Sequence, residues 1–373
     1  MLEKVTRCYR NKRKSYNDTV SRETRGVVER PKMRKPTVYD VAKAADVSIA
    51  TVSFAFHHPD KVKPDTRERI LKVADELGYI RSSAAASLAG SRANVLGLYS
   101  YDMMIEKGKG TQDNTIDPTV FPLYVDEVQR GFQLECWHRN KSVIISSGAE
   151  DRGKSAAQVA DRVDGLAVYP SPLNEFANLT LLSKQIPMVF FSMKSFDAPA
   201  YFIDCDNADG MRQLLDHLCG KHSVRNIVFA GELGSDDVTQ RYEAACKYME
   251  EHNLPTIQLI EDIASSKGQL AELIHSGNLP DAFVCCEDVT AISVLQKLQD
   301  AGYSVPQDTI VTGFDGILAG NLSTPRLTTV RQPMESMGRF AAKVLEDQDR
   351  EPFDRTHERK FPVMLVVGQS CGC

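Results

Sequence analysis

The sequence predicts an α/β protein in two parts: an N-terminal three-helix helix–turn–helix headpiece with a hinge helix, then a two-subdomain core of parallel sheets flanked by helices. Three observations carry this expectation. Residues 37–78 hold three short helical patterns, the first two joined by a turn too short for any other helix pair. From Val95 onward, continuous apolar strands alternate with helical patterns, as in parallel sheets covered on both faces. The length of 373 residues fits two to three domains, and 42% hydrophobic with 25% charged residues is ordinary for globular chains.

Helix one opens at Thr37, which with Asp40 has capping-box spacing, aspartate standing in for the usual Glu or Gln. Val38, Val41, Ala42 and Ala45 fall on one face. Asp46-Val47 makes the turn, Ser48 caps helix two, and Val52 and Ala55 continue the buried face. That leaves Ile49, Ala50, Thr51, Ser53 and Phe54 near the start or on the outer side, with Phe54 expected more in the core than outside. The second helix of such a motif enters the DNA major groove with its N-terminal residues at the base edges. Helix three starts at Pro64, packs through Ile70, Leu71, Val73, Ala74 and Leu77, and ends at Gly78. Residues 82–90, SSAAASLAG, form a short small-faced helix, marginal alone, with Ala85 on its face and Leu88 as its one large apolar group. A small face with one apolar wedge suits a minor groove pried open and kinked.

The net charge of −5 hides an asymmetry. Residues 1–35 hold 12 Lys and Arg against 4 Asp and Glu, leaving the remainder at −13. They read as a disordered basic tail outside the fold. Residues 36–92 hold eight basic and seven acidic residues, so phosphate contacts there fall to hydroxyls such as that of Thr37, to Tyr39 and to backbone N–H groups. No stretch of about eighteen apolar residues and no signal peptide is visible, which points to a cytoplasmic chain. The nine cysteines are scattered, as expected of small buried residues in a reducing compartment. Cys371-Gly-Cys373 has no His or Cys partner nearby in sequence, and the eight histidines show no ligand spacing, so no metal or cofactor is expected.

In the core, strand patterns lie at 95–100, 143–147, 165–169, 188–193, 227–231, 257–260, 282–286 and 309–314. Helical patterns lie between them at about 122–138, 154–162, 174–185, 208–220, 236–252, 267–276, 289–301 and 333–346. Two sheets of this kind bind ligands beyond the carboxyl ends of their strands, in a cleft between them. Acidic residues at strand ends (Asp102, Asp204, Asp206, Glu287, Asp288, Asp315) are apt acceptors for sugar hydroxyls, and Arg241 is an apt donor.

DVAKAADVSIATVS, TRERILKVADELGY and AAASLAG, in that order and spacing, resemble the headpiece and hinge of the lactose-repressor (LacI) family. RVDGLAVYP, FVCCEDVTAISVLQ, TGFDGI and TPRLTTVRQP resemble its periplasmic-binding-protein-like core, so the likeness covers roughly residues 36 to 370. It implies a headpiece at 36–81 and a hinge helix and linker at 82–93. It implies an N-terminal core subdomain of 94–203 plus 331–355 and a C-terminal one of 204–330 plus 356–373. It implies a homodimeric repressor on a pseudo-palindromic operator, answering to a sugar or sugar phosphate in the cleft. Ile49 and Ala50 hold the positions of base readers; neither side chain can hydrogen-bond, but apolar groups can touch the thymine methyl. Leu88 holds the wedge position. Asp102, Tyr124, Ser192, Arg241, Asp288 and Asp315 hold effector-contact positions.

The sequence departs from the family in several places. Ala244 follows Arg241 where a glycine is usual, Glu287 precedes Asp288 in place of Asn, and residues 103–120 lengthen a normally short loop. Ile263 replaces a common sugar-stacking aromatic, and Trp137 reads as the buried end of a helix. No dinucleotide, Walker, metalloprotease or nucleophile-elbow motif appears, which argues against an enzyme. The competing reading is a solute-binding protein of similar core fold, which would need an export signal and no headpiece.

Overall fold

The computed structural model describes residues 36–57, 59–79, 94–101, 124–148, 154–169, 176–347 and 353–373. The chain divides into two units, residues 1–89 and 90–373. The tail, the hinge with Ala85 and Leu88, Asp102 and the 103–120 insertion lie outside the described residues.

The first unit is three helices, α1 (Val38–Ala44), α2 (Ile49–His57) and α3 (Pro64–Glu76). One Asp40 carboxylate oxygen accepts from both the Thr37 backbone N–H and the Thr37 hydroxyl, each at 2.7 Å, so the shorter acid still closes the N-terminus. The Thr51 N–H donates to Ser48 Oγ at 3.1 Å and caps α2. Asp46 takes φ +49 in the turn, and Gly78 ends α3 at φ +63, where a Cβ would be unfavourable. The helices close on Val41, Ala42, Ala45, Val52, Ala55, Ile70 and Ala74. Four of those seven are alanine, so the helices approach closely and Ile70 is the one large side chain wholly enclosed.

The second unit holds two doubly wound subdomains. Strands β1 (Val95–Tyr101), β2 (Ser142–Gly148), β3 (Gly165–Tyr169), β4 (Met188–Phe191), β5 (Tyr201–Cys205) and β11 (His357–Phe361) form one parallel sheet, ordered β11-β5-β4-β3-β1-β2. Helices α4 (Tyr124–His138), α5 (Lys154–Ala160) and α6 (Phe176–Ser183) connect its strands. Strands β6 (Ile227–Ala230), β7 (Gln258–Ile260), β8 (Ala282–Cys285) and β9 (Ile310–Thr312) form a second parallel sheet, ordered β7-β6-β8-β9. Around it run α7 (Asn207–Leu215), α8 (Asp236–Glu251), α9 (Gln269–Ser276), α10 (Asp288–Asp300) and α11 (Leu318–Leu322).

Three crossings join the subdomains: after Cys205, between β10 (Thr329–Arg331) and α12 (Met334–Glu346), and between β11 and β12 (Met364–Val366). The third lies near residue 362, later than the expected 355, because His357–Phe361 pairs with β5 in the first sheet. Its sequence HERKF has no strand-like alternation and reads as polar. It sits at the sheet edge, where one row of neighbours supplies the ladder. Strands β5, β10 and β12 were also not legible as strands.

α12 returns to the first subdomain and packs on α4. A Cβ on Gly131 would overlap the Glu335 backbone carbonyl, and one on Gly338 that of Val128, so the two helices touch backbone to backbone. Trp137, expected to be buried, is 71% exposed beyond this seam. Cys136, one residue earlier, takes the inward position instead.

Candidate functional site

On the headpiece, Tyr39, Ile49, Ala50, Ser53 and Phe54 are exposed, while Val52 and Ala55 of the same helix are sealed inside. The 3.6-residue period alone separates these faces. Phe54 is 41% exposed and carries the Lys61 ammonium 5.7 Å from its ring centroid, so the expectation of core packing is corrected. Ser48 and Thr51 hydroxyls lie 2.8 Å apart and serve the helix cap first. Arg67 Nε donates to the Ala55 carbonyl at 3.3 Å, fixing the end of α2 on α3.

In the core, each sheet reverses its strand order at one place, between β1 and β3 and between β6 and β8. These are the switch points where open α/β sheets leave a crevice. Tyr169 ends β3, and Cys286 follows β8. Tyr169 stacks on Phe191 with ring centroids 4.5 Å apart, and Tyr124 meets its edge at 5.9 Å. The Tyr124 and Ser192 hydroxyls lie 3.3 Å apart. Burial raises both phenols above their ordinary range; the carboxylates of Asp204 and Asp237 act on Tyr124 in the same direction. Asp204, in β5, belongs to the same subdomain as the two tyrosines, and Asp237, on α8, to the second.

Arg241, on α8, is 2% exposed. Its Nε donates to Asn207 Oδ1 at 2.8 Å, Nη1 to the Cys286 carbonyl at 2.7 Å, and Nη2 to Asp237 at 3.1 Å. The guanidinium lies 3.9 Å from the Phe314 ring centroid and 3.6 Å from Asp315 Oδ1. Burial alone would favour a neutral guanidinium; Asp237 and Asp315 outweigh it and hold the charge. Asp315 also accepts from Gln332 Nε2 at 2.7 Å. Burial pushes the Asp204 carboxyl up to about 6, reinforced by the charge of Asp237, and it raises Glu287 and Asp315 as well. Several carboxyls thus surround one cation, and burial favours their protonated forms. Ser192 and Asp315 hold left-handed backbone, φ +51 and +109, which non-glycine residues seldom adopt.

Asp288 does not join this group. It is wholly buried: Oδ1 accepts from the Thr329 hydroxyl at 2.6 Å and Oδ2 from the Ile317 N–H at 2.8 Å. The family position suggested an effector contact. The structure gives the carboxyl to the crossing strand β10 and the start of α11. Asp206 caps α7 by accepting from the Asp209 N–H at 3.0 Å. Sequence reasoning missed Asn207, Asp237 and Gln240. Asp237 and Gln240 precede Arg241 by four and one positions, and a helical wheel drawn from Arg241 would have found Asp237. A cleft of about 490 Å³ opens beside the cluster, lined by Lys194, Asp204, Asp236, Gln240, Glu243 and Lys360 among others. Its rim is bridged where the Lys194 N–H donates to Asp236 at 2.8 Å.

Two family profiles match the chain: bacterial regulatory proteins of the lacI family over residues 37–82, and a periplasmic binding protein-like domain over residues 215–371. The HTH-type transcriptional repressor PurR of Haemophilus influenzae (strain PittEE) is 30% identical over 322 residues, covering 83% of this chain and 90% of PurR. The HTH-type transcriptional regulator DegA of Bacillus subtilis (strain 168) is 26% identical over 349 residues, covering 90% and 98% of the two chains. The lac repressor dimer bound to operator and the anti-inducer ONPF shares the fold, with a TM-score of 0.74 and 21% identity over 91% of this chain and 99% of that one. Among the described residues no helix is long and apolar enough to cross a membrane. These relatives are transcriptional regulators rather than enzymes, and the matches run from the headpiece through the core: the chain belongs to the LacI family of bacterial regulatory proteins.

Proposed function

We propose that the protein is a cytoplasmic, homodimeric repressor that binds a pseudo-palindromic operator and is released or recruited by a carbohydrate held between its core subdomains. The observation that carries this reading is the outward face of α2. Ile49, Ala50, Ser53 and Phe54 are exposed on a helix whose other side is closed around Ile70. Ile49 and Ala50 read thymine methyl groups, Tyr39 and the hydroxyls of Thr37, Ser48, Thr51 and Ser53 hold phosphates, and Phe54 lies along the backbone. Residues 82–93 form the hinge; Ala85 and Leu88 enter the minor groove at the centre of the site. PurR is named a repressor, and the lac repressor structure is a dimer on its operator, which supports both the partner and the stoichiometry.

The effector lies at the two switch points. Tyr124 and Ser192 contact it from the first subdomain, and the family position of Asp102, outside the described residues, makes it a further contact. Arg241, Asp315 and Asp237 meet it from the second. Solved structures of similar fold hold cellobiose and sucrose. The one arginine of the cluster already donates from all three of its nitrogens to Asn207, the Cys286 carbonyl and Asp237, so the site favours a neutral polyhydroxyl ligand over a sugar phosphate. An effector coupling of about 1–3 kcal/mol changes operator affinity roughly 5- to 150-fold.

The test is selection of duplexes from a random pool by the purified full chain, followed by titration of neutral and phosphorylated sugars. Enrichment of a two-fold symmetric site, with affinity altered by a neutral sugar, is the expected result. Binding that ignores sequence at moderate ionic strength would sink the reading.

A further inference from the structure

The chain carries a second constellation away from the effector cluster. We propose that His217, His222, Cys371 and Cys373 bind one zinc ion per chain. Their four donor atoms all lie within 4.8 Å of one another. The two Nε2 atoms are 3.2 Å apart, His217 Nε2 is 3.4 Å from Cys371 Sγ and 3.7 Å from Cys373 Sγ, and His222 Nε2 is 3.3 Å from Cys373 Sγ. A tetrahedral zinc with ordinary Zn–N and Zn–S bonds separates two nitrogens by about 3.3 Å and a nitrogen from a sulfur by about 3.6 Å. Both separations match those seen.

Hydrogen bonding does not account for the cluster. A ring nitrogen offers one proton or one lone pair, yet His217 Nε2 has three neighbours and His222 Nε2 has two. A cation at the centre satisfies all four donors together. Two imidazoles and two thiolates in tetrahedral array select zinc, whereas magnesium and calcium require oxygen ligands. On binding, both thiols give up their protons to solvent and two sulfur–zinc bonds form.

The backbone builds the site in two ways. After Leu215, α7 continues as a π-helix, Asp216–Lys221. In an α-helix, residues five apart point roughly 140° away from each other. The wider i→i+5 turn brings His217 and His222 back to one side. This is why His-x₄-His gives no ligand signal in the sequence. Opposite them, Gly372 takes φ +91, a left-handed turn that lets Cys371 and Cys373 converge. Thr328 Oγ1 donates to Cys371 Sγ at 3.0 Å and fixes its direction. Cys373 is exposed, which leaves an entry path for the ion. Zinc here ties residues 368–373 to the end of α7, the helix whose first residue, Asn207, accepts from Arg241.

The experiment uses the full chain, reduced and stripped of metal, titrated with Co²⁺ and then Zn²⁺. One equivalent of Co²⁺ should give tetrahedral d–d bands and a thiolate-to-cobalt charge-transfer band, both abolished by one equivalent of Zn²⁺. Zn²⁺ should also protect Cys371 and Cys373 from alkylation. Cys373→Ser and His222→Gln should each lower affinity at least tenfold while the metal-free unfolding transition stays like the parent's. Octahedral or absent cobalt bands, equal alkylation with and without Zn²⁺, undiminished affinity in both variants, or a Cys371–Cys373 disulfide under reducing conditions would overturn the assignment.

Discussion

Arg241 and Asp315 form a buried pair, 3.6 Å between Nη1 and Oδ1, with side chains 2% and 7% exposed. The guanidinium also binds α7 through Asn207, its own helix through Asp237 and the end of β8 through the Cys286 carbonyl. One side chain thus holds the strand ends of the second subdomain in position. Arg241→Ala leaves Asp237 and Asp315 without their counter-ion, which costs about 3–5 kcal/mol for a buried pair. Denaturant unfolding should register that loss, and the effector's influence on operator affinity should disappear. A loss below about 1 kcal/mol would mean that the cluster does not hold the subdomain together.

Asp288 supplies a pH signature. Burial pushes its carboxyl up to about 7, from an ordinary value of 3.8. A carboxyl raised in the folded state favours folding while protonated; its contribution is full below about pH 4 and is lost as pH rises through about 7. Asp288→Asn retains an acceptor for the Ile317 N–H; at Oδ1, which accepts from the Thr329 hydroxyl, the amide N–H turns that hydroxyl into the acceptor, as protonation of the acid would. The stability difference between variant and parent should therefore grow in the variant's favour from pH 4 to pH 7.5. A difference that is flat across that range would contradict the burial argument.

Gly131 and Gly338 mark the seam between α4 and α12, where each would place a Cβ onto the other helix's backbone. Backbone cannot yield as a flexible side chain does. Gly338→Ala should destabilise the core by about 1–3 kcal/mol, as over-packing does, despite alanine's better helix propensity. A raised unfolding midpoint would show that the seam relaxes freely.

Tyr39 and Ile49 should fail in different ways on DNA. With Tyr39 proposed on a phosphate, Tyr39→Phe should weaken operator and random duplex alike, by about tenfold, as for a hydrogen bond to a charged group. Ile49→Ser should weaken the operator and shift base preference at one symmetric position per half-site, with random duplex unaffected. A Tyr39→Phe loss confined to the operator, or an Ile49→Ser loss shared by all duplexes, would exchange the two roles.

The headpiece was readable because its determinants are local. The Thr37–Asp40 box, the Ser48 cap and Gly78 each act within a few residues, and the 3.6-residue period sorts Val52 and Ala55 from Ile49 and Ser53. The strands buried on both faces announced themselves as apolar runs. His357–Phe361 did not, because an edge strand is defined by the neighbour it pairs with, here Tyr201–Cys205. Tyr124, Ser192, Arg241 and Asp315 were named from motif positions, but their partners Asn207 and Asp237 were not.

By itself the sequence determined the kind of protein: a groove-reading three-helix unit ahead of two wound sheets, and the residues from which a cleft can be made. Folding decided which of those residues meet. Asp288 and Asp315 both stand at strand ends, yet one is spent on Thr329 and Ile317 while the other faces Arg241. His217 and Cys371 are 154 positions apart and became neighbours only through the π-helix and the returning terminus. Periodicity and caps are short-range and survive in the linear text, whereas side-chain encounters depend on chain crossings that no local pattern encodes.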